Sequence, residues 1–495
     1  MPSKIDDTIL ICDQPLATSL KPSYFQSHCH HCFRSKGFAA TKRCTGCRFA
    51  RYCSPDCQKR DWNEGHKLEC KFVKQGKDDD PDLTDLEDKI VKRLNGDVNV
   101  ATCLLVFRLF LKSKKNLLKD AVGKNTSRKW SDLVTHEIDF RKSTSMMEFF
   151  RIICDFIMKD FNQKMDITLH AELFEVFCKV AINSHSIYEW DERGQCNQIG
   201  LSLSLDISAF DHSCEPTVDL FSKGRTTYAI PLISGHNAHN SSASFINYMN
   251  LSTPRWARQR FLKENYFFDC QCNRCLSNSD HYLTAFICES CQASVPYPED
   301  YYRSKAVDPA EIMCPECKSI ASAKWISKAR NAMATLRMYV GTGCQPVNDE
   351  DDDYVDKQHY LKSLMPKEKT RFMRELKSKT DDILPNCNAY RALLFYYLIQ
   401  CEDLTPFVIA TLCNSYYAVL NSSYPRLQAR NLLPELFFVS ATLAQNDAME
   451  QARKVLAHIE DITAPLITID QWCLVDDLMK RHRKCIIDGE KVDLD

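Results

Sequence analysis

The stretch "ISAFDHSCEPTVDLF", Ile207 to Phe221, decides how this chain is read. Asp211, His212, Ser213 and Cys214 stand together between two apolar, strand-like runs, and building a core does not require that order. Cys214 is isolated in sequence, while some 55 residues downstream Cys270, Cys272 and Cys275 form a tight C-x-C-x-x-C. A structural zinc site is tetrahedral and takes four ligands, whereas the triple offers three. Cys214 is expected to close that site and to pin its own β segment against the segment at Cys270.

Working outward, the remaining cysteines fall into order. The block "CHHCFRSKGFAATKRCTGCRFARYCSPDCQKRDWNEGHKLEC" has the spacing C-x2-C-x11-C-x2-C-x5-C-x3-C-x8-H-x3-C, from Cys29, Cys32, Cys44, Cys47, Cys53 and Cys57 to His66 and Cys70. It is too polar and too short to fold around a hydrophobic core, so metal must supply much of its stability. Cys288, Cys291, Cys314 and Cys317 make two further C-x-x-C pairs separated by a polar segment. Fifteen cysteines and one histidine thus divide into about four zinc sites. The other eleven of the 26 cysteines, such as Cys103, Cys154 and Cys178, lie in apolar or mixed runs and read as small buried hydrophobes.

The 495 residues suffice for two to four domains. With 64 Lys and Arg against 65 Asp and Glu, the net charge of -1 gives no global drive toward nucleic acid or membrane. No run approaches the roughly 18 apolar residues of a membrane span. The N-terminus "MPSKIDDTILICDQPLATSL" lacks the basic-then-apolar order of a signal peptide, so an intracellular chain, nuclear or cytoplasmic, is expected. That compartment argues against disulfides. Arg43, Arg48, Arg51, Lys59 and Arg60 make the Cys29–Cys70 block locally basic, which a solubilising surface also explains.

Periodicity divides the rest. After the acidic "GKDDDPDLTDLED", a helical stretch is expected to about residue 185. Within it Met147, Phe150, Cys154 and Ile157 share one helical face, and Leu173, Val176, Phe177 and Val180 another. "IGLSLSLDI", "TVDLF" and "TTYAIPLI" alternate as short strands. "TPRWARQRFLKENYFF" returns to helix, with Thr253 expected at the N-cap and Pro254 at the first helical position. Beyond Cys317 the chain reads as helix-length pieces of a repeat-solenoid kind without a clean 34-residue consensus, and the acidic "NDEDDDYVD" reads as a solvated loop.

"YCSPDCQKRDWNEGHKLEC" and its spacing resemble the MYND zinc finger. With "DHSCEPT", C-x-C-x-x-C and a helical C-terminus, the chain resembles the SET and MYND domain family of protein-lysine methyltransferases, closely over residues 5 to 280. The resemblance implies an α+β fold: a SET β-domain split by a MYND finger and a helical insert, followed by an all-helical, TPR-like C-terminal domain. The boundaries expected are 1–28 (N-terminal SET segment), 29–70 (finger), 71–182 (linker and insert), 183–260 (SET core), 261–320 (post-SET cysteines and the extra C-x-x-C pairs) and 321–495 (helical domain). Cross-brace pairing would put Cys29, Cys32, Cys53 and Cys57 on one ion and Cys44, Cys47, His66 and Cys70 on another. The family binds S-adenosyl-L-methionine. Asn183, Asp211, His212, Tyr248 and Phe268 match its cofactor contacts, and Tyr248 and Tyr266 match its catalytic tyrosines. Methyl transfer needs a neutral amine aligned with the methyl group, which an aromatic, hydroxyl-lined channel can enforce. Implied partners are a lysine-bearing protein or peptide and a Pro-rich peptide at the finger, for a monomer that binds neither membrane nor nucleic acid.

Three departures separate the chain from the family pattern. The first glycine is Gly37, so the Gly-rich strand that lets backbone approach the cofactor is not in this sequence. Asp211 stands where the family has Asn and adds negative charge near a carboxylate. "GHNAHNSSASFINY" replaces an acidic G-E-E segment upstream of Tyr248. Two readings follow: an active lysine methyltransferase, or a scaffold that has lost methyl transfer and binds peptides in transcriptional regulation.

Overall fold

A computed structural model describes residues 7–35, 42–72, 97–160, 167–191, 194–298, 311–341, 360–361, 363–401, 403–424, 429–467, 479–480, 483–484 and 486. The two acidic runs singled out above lie outside the described residues.

The strands before the finger are completed by strands far along the chain. β1 (Leu10–Cys12) and β2 (Ala17–Leu20) precede the finger, which contributes β3 (Lys42–Arg43), β4 (Arg51–Tyr52) and α1 (Pro55–Asp61). The insert supplies α2 (Asp97–Lys114), α3 (Glu137–Lys142), α4 (Thr144–Asp160) and α5 (Ile167–Asn183). β5 (His185–Trp190), β6 (Cys196–Leu203), β7 (Asp211–His212), β8 (Val218–Lys223), β9 (Thr226–Pro231) and β10 (Phe245–Ile246) then complete the sheets. One has the order β1-β9-β8 and another β2-β6-β5, both antiparallel, with Leu10 opposite Ala229 and Ser19 opposite Leu201. β7 runs parallel to β10, which lays "DHSC" beside "FINY". A β domain interrupted by finger and insert is therefore what the register shows.

The finger is seated firmly on this domain. Gly224 opens the two-residue turn between β8 and β9 at φ 57°, and a Cβ there would collide with the Cys32 carbonyl oxygen, so a glycine suits both the left-handed backbone and the close approach. Arg225 reaches Glu64 at 2.6 Å, and His28 reaches Glu189 at 2.7 Å. From α2, Arg108 donates to the Thr18 carbonyl and to both Glu69 carboxylate oxygens.

The stripes expected of α4 and α5 are buried: Phe150, Cys154, Ile157, Leu173, Val176, Phe177 and Val180 join α2 in one core, with Met147 packed at its edge. Truncating such a phenylalanine costs about 3–5 kcal/mol. The helical stretch is not continuous, however. Residues 115–136 form turns and an isolated bridge with one 3-10 turn, and the helix ends at Asn183, giving way to β5. "KNTSRKWSD" has no apolar period to hold a helix, and His185–Trp190 is claimed by pairing with β6.

α6 (Arg255–Tyr266) starts one residue later than expected, with Pro254 at the N-cap. α7 (Asn273–Ser277), β11 (Phe286–Ile287) and β12 (Ser294–Val295) carry the later cysteines. α8 (Ala323–Val340), α9 (Pro366–Thr380), α10 (Ala389–Ile399), α11 (Pro406–Ser423), α12 (Ala429–Gln445) and α13 (Met449–Ile467) follow. From α9 on each packs on the next, α8 packs on α10, and α12 also touches β6 and β8. No helix among the described residues is long and apolar enough to cross a membrane.

Candidate metal centres and active-site cavity

Sixteen ligand atoms gather into four groups of four, each with its atoms within 4.8 Å of one another: Cys29, Cys32, Cys53 and Cys57; Cys44, Cys47, His66 and Cys70; Cys214, Cys270, Cys272 and Cys275; Cys288, Cys291, Cys314 and Cys317. Sulfurs 2.3 Å from a common tetrahedral ion would stand about 3.8 Å apart. The Sγ···Sγ separations are 3.6 Å for Cys32 and Cys53, 3.8 Å for Cys44 and Cys70, 3.6 Å for Cys214 and Cys275, and 3.7 Å for Cys288 and Cys317. The donor sets fit zinc.

Local backbone explains why the C-x-x-C pairs work as claws. In four of them the residue after the second cysteine is left-handed: Phe33, Arg48, Gln292 and Lys318, at φ 59–63°. Its N–H donates to the carbonyl of the first cysteine at 2.8–3.1 Å, in Phe33 to Cys29, Arg48 to Cys44, Gln292 to Cys288 and Lys318 to Cys314. Non-glycine residues there cost energy, which metal coordination can offset. The two pairs of the fourth group share this turn with the finger, so they are built as the finger's knuckles are. Elsewhere a cap does the work: Ser54 accepts from the Cys57 N–H at 3.1 Å, presenting Cys57 from the first turn of α1.

The ligands are oriented from behind. His66 Nε2 lies 3.5 Å from Cys47 Sγ, while Nδ1 is 3.0 Å from Glu69. Burial alone would raise the Glu69 carboxyl, but Arg108 and His66 hold it down at about 2. Cys214 receives Arg258 Nε at 3.3 Å. Arg258 and Arg274, 0% and 3% exposed, both end on Asp280 Oδ2, at 2.6 and 2.8 Å.

His212 joins the third metal group to the cavity beside it. Its Nδ1 accepts the Tyr248 N–H at 3.1 Å and its Nε2 lies 3.4 Å from Cys214 Sγ, so a hydrogen on Nε2 satisfies both. Tyr248 is thereby registered against a metal ligand. Its hydroxyl donates to the Phe210 carbonyl at 3.0 Å. Burial first, then the Tyr266 phenol and the Asp211 carboxylate, push the Tyr248 phenol well above the ordinary tyrosine value, which keeps it a neutral donor.

The cavity encloses about 380 Å³, and Asn183, Asp211, Tyr248, Tyr266 and Phe268 all line it. Tyr248 and Tyr266 have ring centroids 4.6 Å apart. Phe267, between the two wall aromatics, is left-handed at φ 61° and sends its ring to Phe140 in the insert, 5.1 Å away. That turn lets Tyr266 and Phe268 face the same space. His212 lines a second cavity of about 490 Å³ instead, beyond Phe268 and beside Cys270 and Cys272. Asn183 spends both amide hydrogens, on the Val134 and Lys179 carbonyls at 2.8 Å. Arg128, Val134 and His136 of the insert and Asn431 of α12 also line the first cavity. Sequence reasoning missed all four, since no spacing or periodicity marks them.

Residues 29–70 match the family model for the MYND finger. The chain is similar to SET domain and MYND-type zinc finger protein 6 of Schizosaccharomyces pombe, 27% identical over 266 residues, which are 53% of this chain and 46% of that protein. SET domain-containing protein 14 of Caenorhabditis elegans is 26% identical over 278 residues, 56% of this chain and 57% of the relative. Histone-lysine N-methyltransferase ASHR1 of Arabidopsis thaliana is 28% identical over 276 residues, 54% and 50% respectively. The chain spans about half the length of the curated relatives it matches. With the matched finger and the interrupted β domain, the chain is similar to proteins of the SET and MYND domain family.

Proposed function

We propose that the chain is an S-adenosyl-L-methionine-dependent protein-lysine N-methyltransferase, acting on histone or other proteins in the nucleus or cytoplasm. The observation that carries this reading is the convergence of Asp211, Asn183, Tyr248, Tyr266 and Phe268, from separate segments, on one cavity. The cavity fits the cofactor in kind: it falls in the size range of small-molecule sites, and it offers aromatic faces together with an acidic and a basic side chain, Asp211 and Arg128. Bound there, S-adenosyl-L-methionine would supply a methyl group on a sulfonium centre.

The chain's own residues would do the rest. Tyr248, fixed by the Phe210 carbonyl and by His212, presents a phenol oxygen that can orient a lysine nitrogen. The faces of Tyr248, Tyr266 and Phe268 exclude water and favour a cation. Asp211 can accept from the ammonium at the cofactor's amino acid end. Asn183 secures the wall through Val134 and leaves its Oδ1 as the amide atom for a ligand. Four zinc ions would hold the scaffold. On the finger, Trp62 is exposed beside the exposed Lys59 and Arg60, a surface suited to a Pro-rich peptide.

One observation favours the scaffold reading. Two groups that the resemblance assigns to the cofactor, the His212 ring and the Asn183 amide nitrogen, do structural work here. Incubating the zinc-loaded chain with methyl-labelled cofactor and a cell extract separates the readings. Label on lysine is expected, falling about 100-fold in Tyr248→Phe while S-adenosylhomocysteine affinity changes less than about threefold. Cofactor binding without lysine label supports the scaffold; neither binding nor label overturns the proposal.

A further inference from the structure

Arg128 lies in the loop between α2 and α3, and that loop is built to hold it. The Asp206 carboxylate accepts from the Asn125 N–H at 3.0 Å, the Thr126 N–H at 2.9 Å, the Thr126 hydroxyl at 3.0 Å and the Asn125 amide at 3.1 Å. The same amide donates to the Ile11 carbonyl at 3.0 Å, tying the loop to β1. Within the loop the Gly123 N–H donates to the Arg128 carbonyl at 2.8 Å, and Val122 bridges Lys129. A Cβ on Gly123 would run into Asp206, so the tight docking needs glycine there.

What this loop delivers to the cavity is a cation in want of an acceptor. Arg128 lines the cavity together with Asp211 and Tyr248, and its Nε is buried without a hydrogen-bond partner among the described residues. The other basic side chains of the cavity are engaged, His136 with Asp139 at 3.5 Å and His185 with Thr227 at 3.1 Å. A buried donor left unmade is costly, unless a ligand supplies the acceptor. Guanidinium forks match carboxylates in geometry as well as charge. Asp211 brings an exposed carboxylate to the same space.

We infer that Arg128 and Asp211 act as a matched pair that reads a zwitterion, Arg128 taking the α-carboxylate and Asp211 the α-ammonium of an amino-acid-bearing ligand. This rests on the cofactor reading above and deepens it. The extra negative charge of Asp211, which alone would weaken such binding, is balanced by a cation that the insert positions.

Calorimetric titration with two probes tests the pair. S-adenosylhomocysteine carries the amino acid end; 5′-methylthioadenosine shares the adenosyl thioether and lacks that end. Arg128→Met is expected to weaken S-adenosylhomocysteine roughly 10- to 100-fold and to change methylthioadenosine less than about twofold, with Arg128→Lys between wild type and Met. The unchanged second probe shows that the variant is folded. Equal losses for both probes, or no loss for either, overturn the pairing while the cofactor reading stands. Failure of the unaltered chain to bind either probe overturns the cofactor reading itself, and the pairing with it.

Discussion

Asp280, 2% exposed, is a buried carboxylate on which two arginines converge. Two guanidinium groups buried behind the third metal group share its Oδ2, and Arg274 also donates to the Leu251 and Ser423 carbonyls, at 2.9 and 3.0 Å. Removing one partner of such a cluster leaves charge uncompensated in a low-dielectric interior, which costs about 3–5 kcal/mol. Asp280→Ala is therefore expected to lower unfolding free energy by that amount in denaturant titration. A change under about 1 kcal/mol would mean that water or backbone carbonyls satisfy both arginines without it. At this scale the sequence was legible for ligands and mute for their supports. Cys214 could be placed because three cysteines need a fourth, whereas nothing in "RWARQRF" marks Arg258 as the residue behind it. His212 was expected at the cofactor, whereas its ring turns to Cys214 and the Tyr248 backbone and lines the second cavity.

Among the elements, the knuckles explain why metal sites were easier to read than the insert. Cysteine and histidine at fixed spacing encode a turn whose left-handed residue follows directly, as Lys318 does after Cys317. The insert loop encodes its position through Asp206, about 80 residues away, and no local pattern reveals that. The fourth group also anchors the start of the helical region. Ser322, the N-cap of α8, donates to Glu289, and Trp325 of α8 donates to the Ile287 carbonyl at 2.6 Å. Elemental analysis should find about four zinc ions per chain and about three in the Cys288→Ser, Cys314→Ser double variant. An unchanged zinc content in that variant would show that the fourth group does not hold the metal.

Across the molecule, three distant stretches of chain meet at one cavity: the insert with Arg128, the β domain with Asp211 and Tyr248, and α12 with Asn431. The strand-rich segment and the helical C-terminal region could be read from alternation and periodicity, whereas the split of the β domain came only from the family resemblance. Which insert and helical residues close the cavity could not be read, because packing between elements chooses them. The insert braces β2 through Arg108, itself held by Glu69 of the finger, at the Thr18 carbonyl, and through Lys112 at the preceding Leu16 carbonyl, 2.6 Å away. The central claim is that this zinc-built frame holds an S-adenosyl-L-methionine site. Equilibrium dialysis of the labelled cofactor against the zinc-loaded chain tests it most directly: the account predicts saturable retention approaching one molecule per chain at micromolar concentrations, and no retention even at high micromolar cofactor would contradict it.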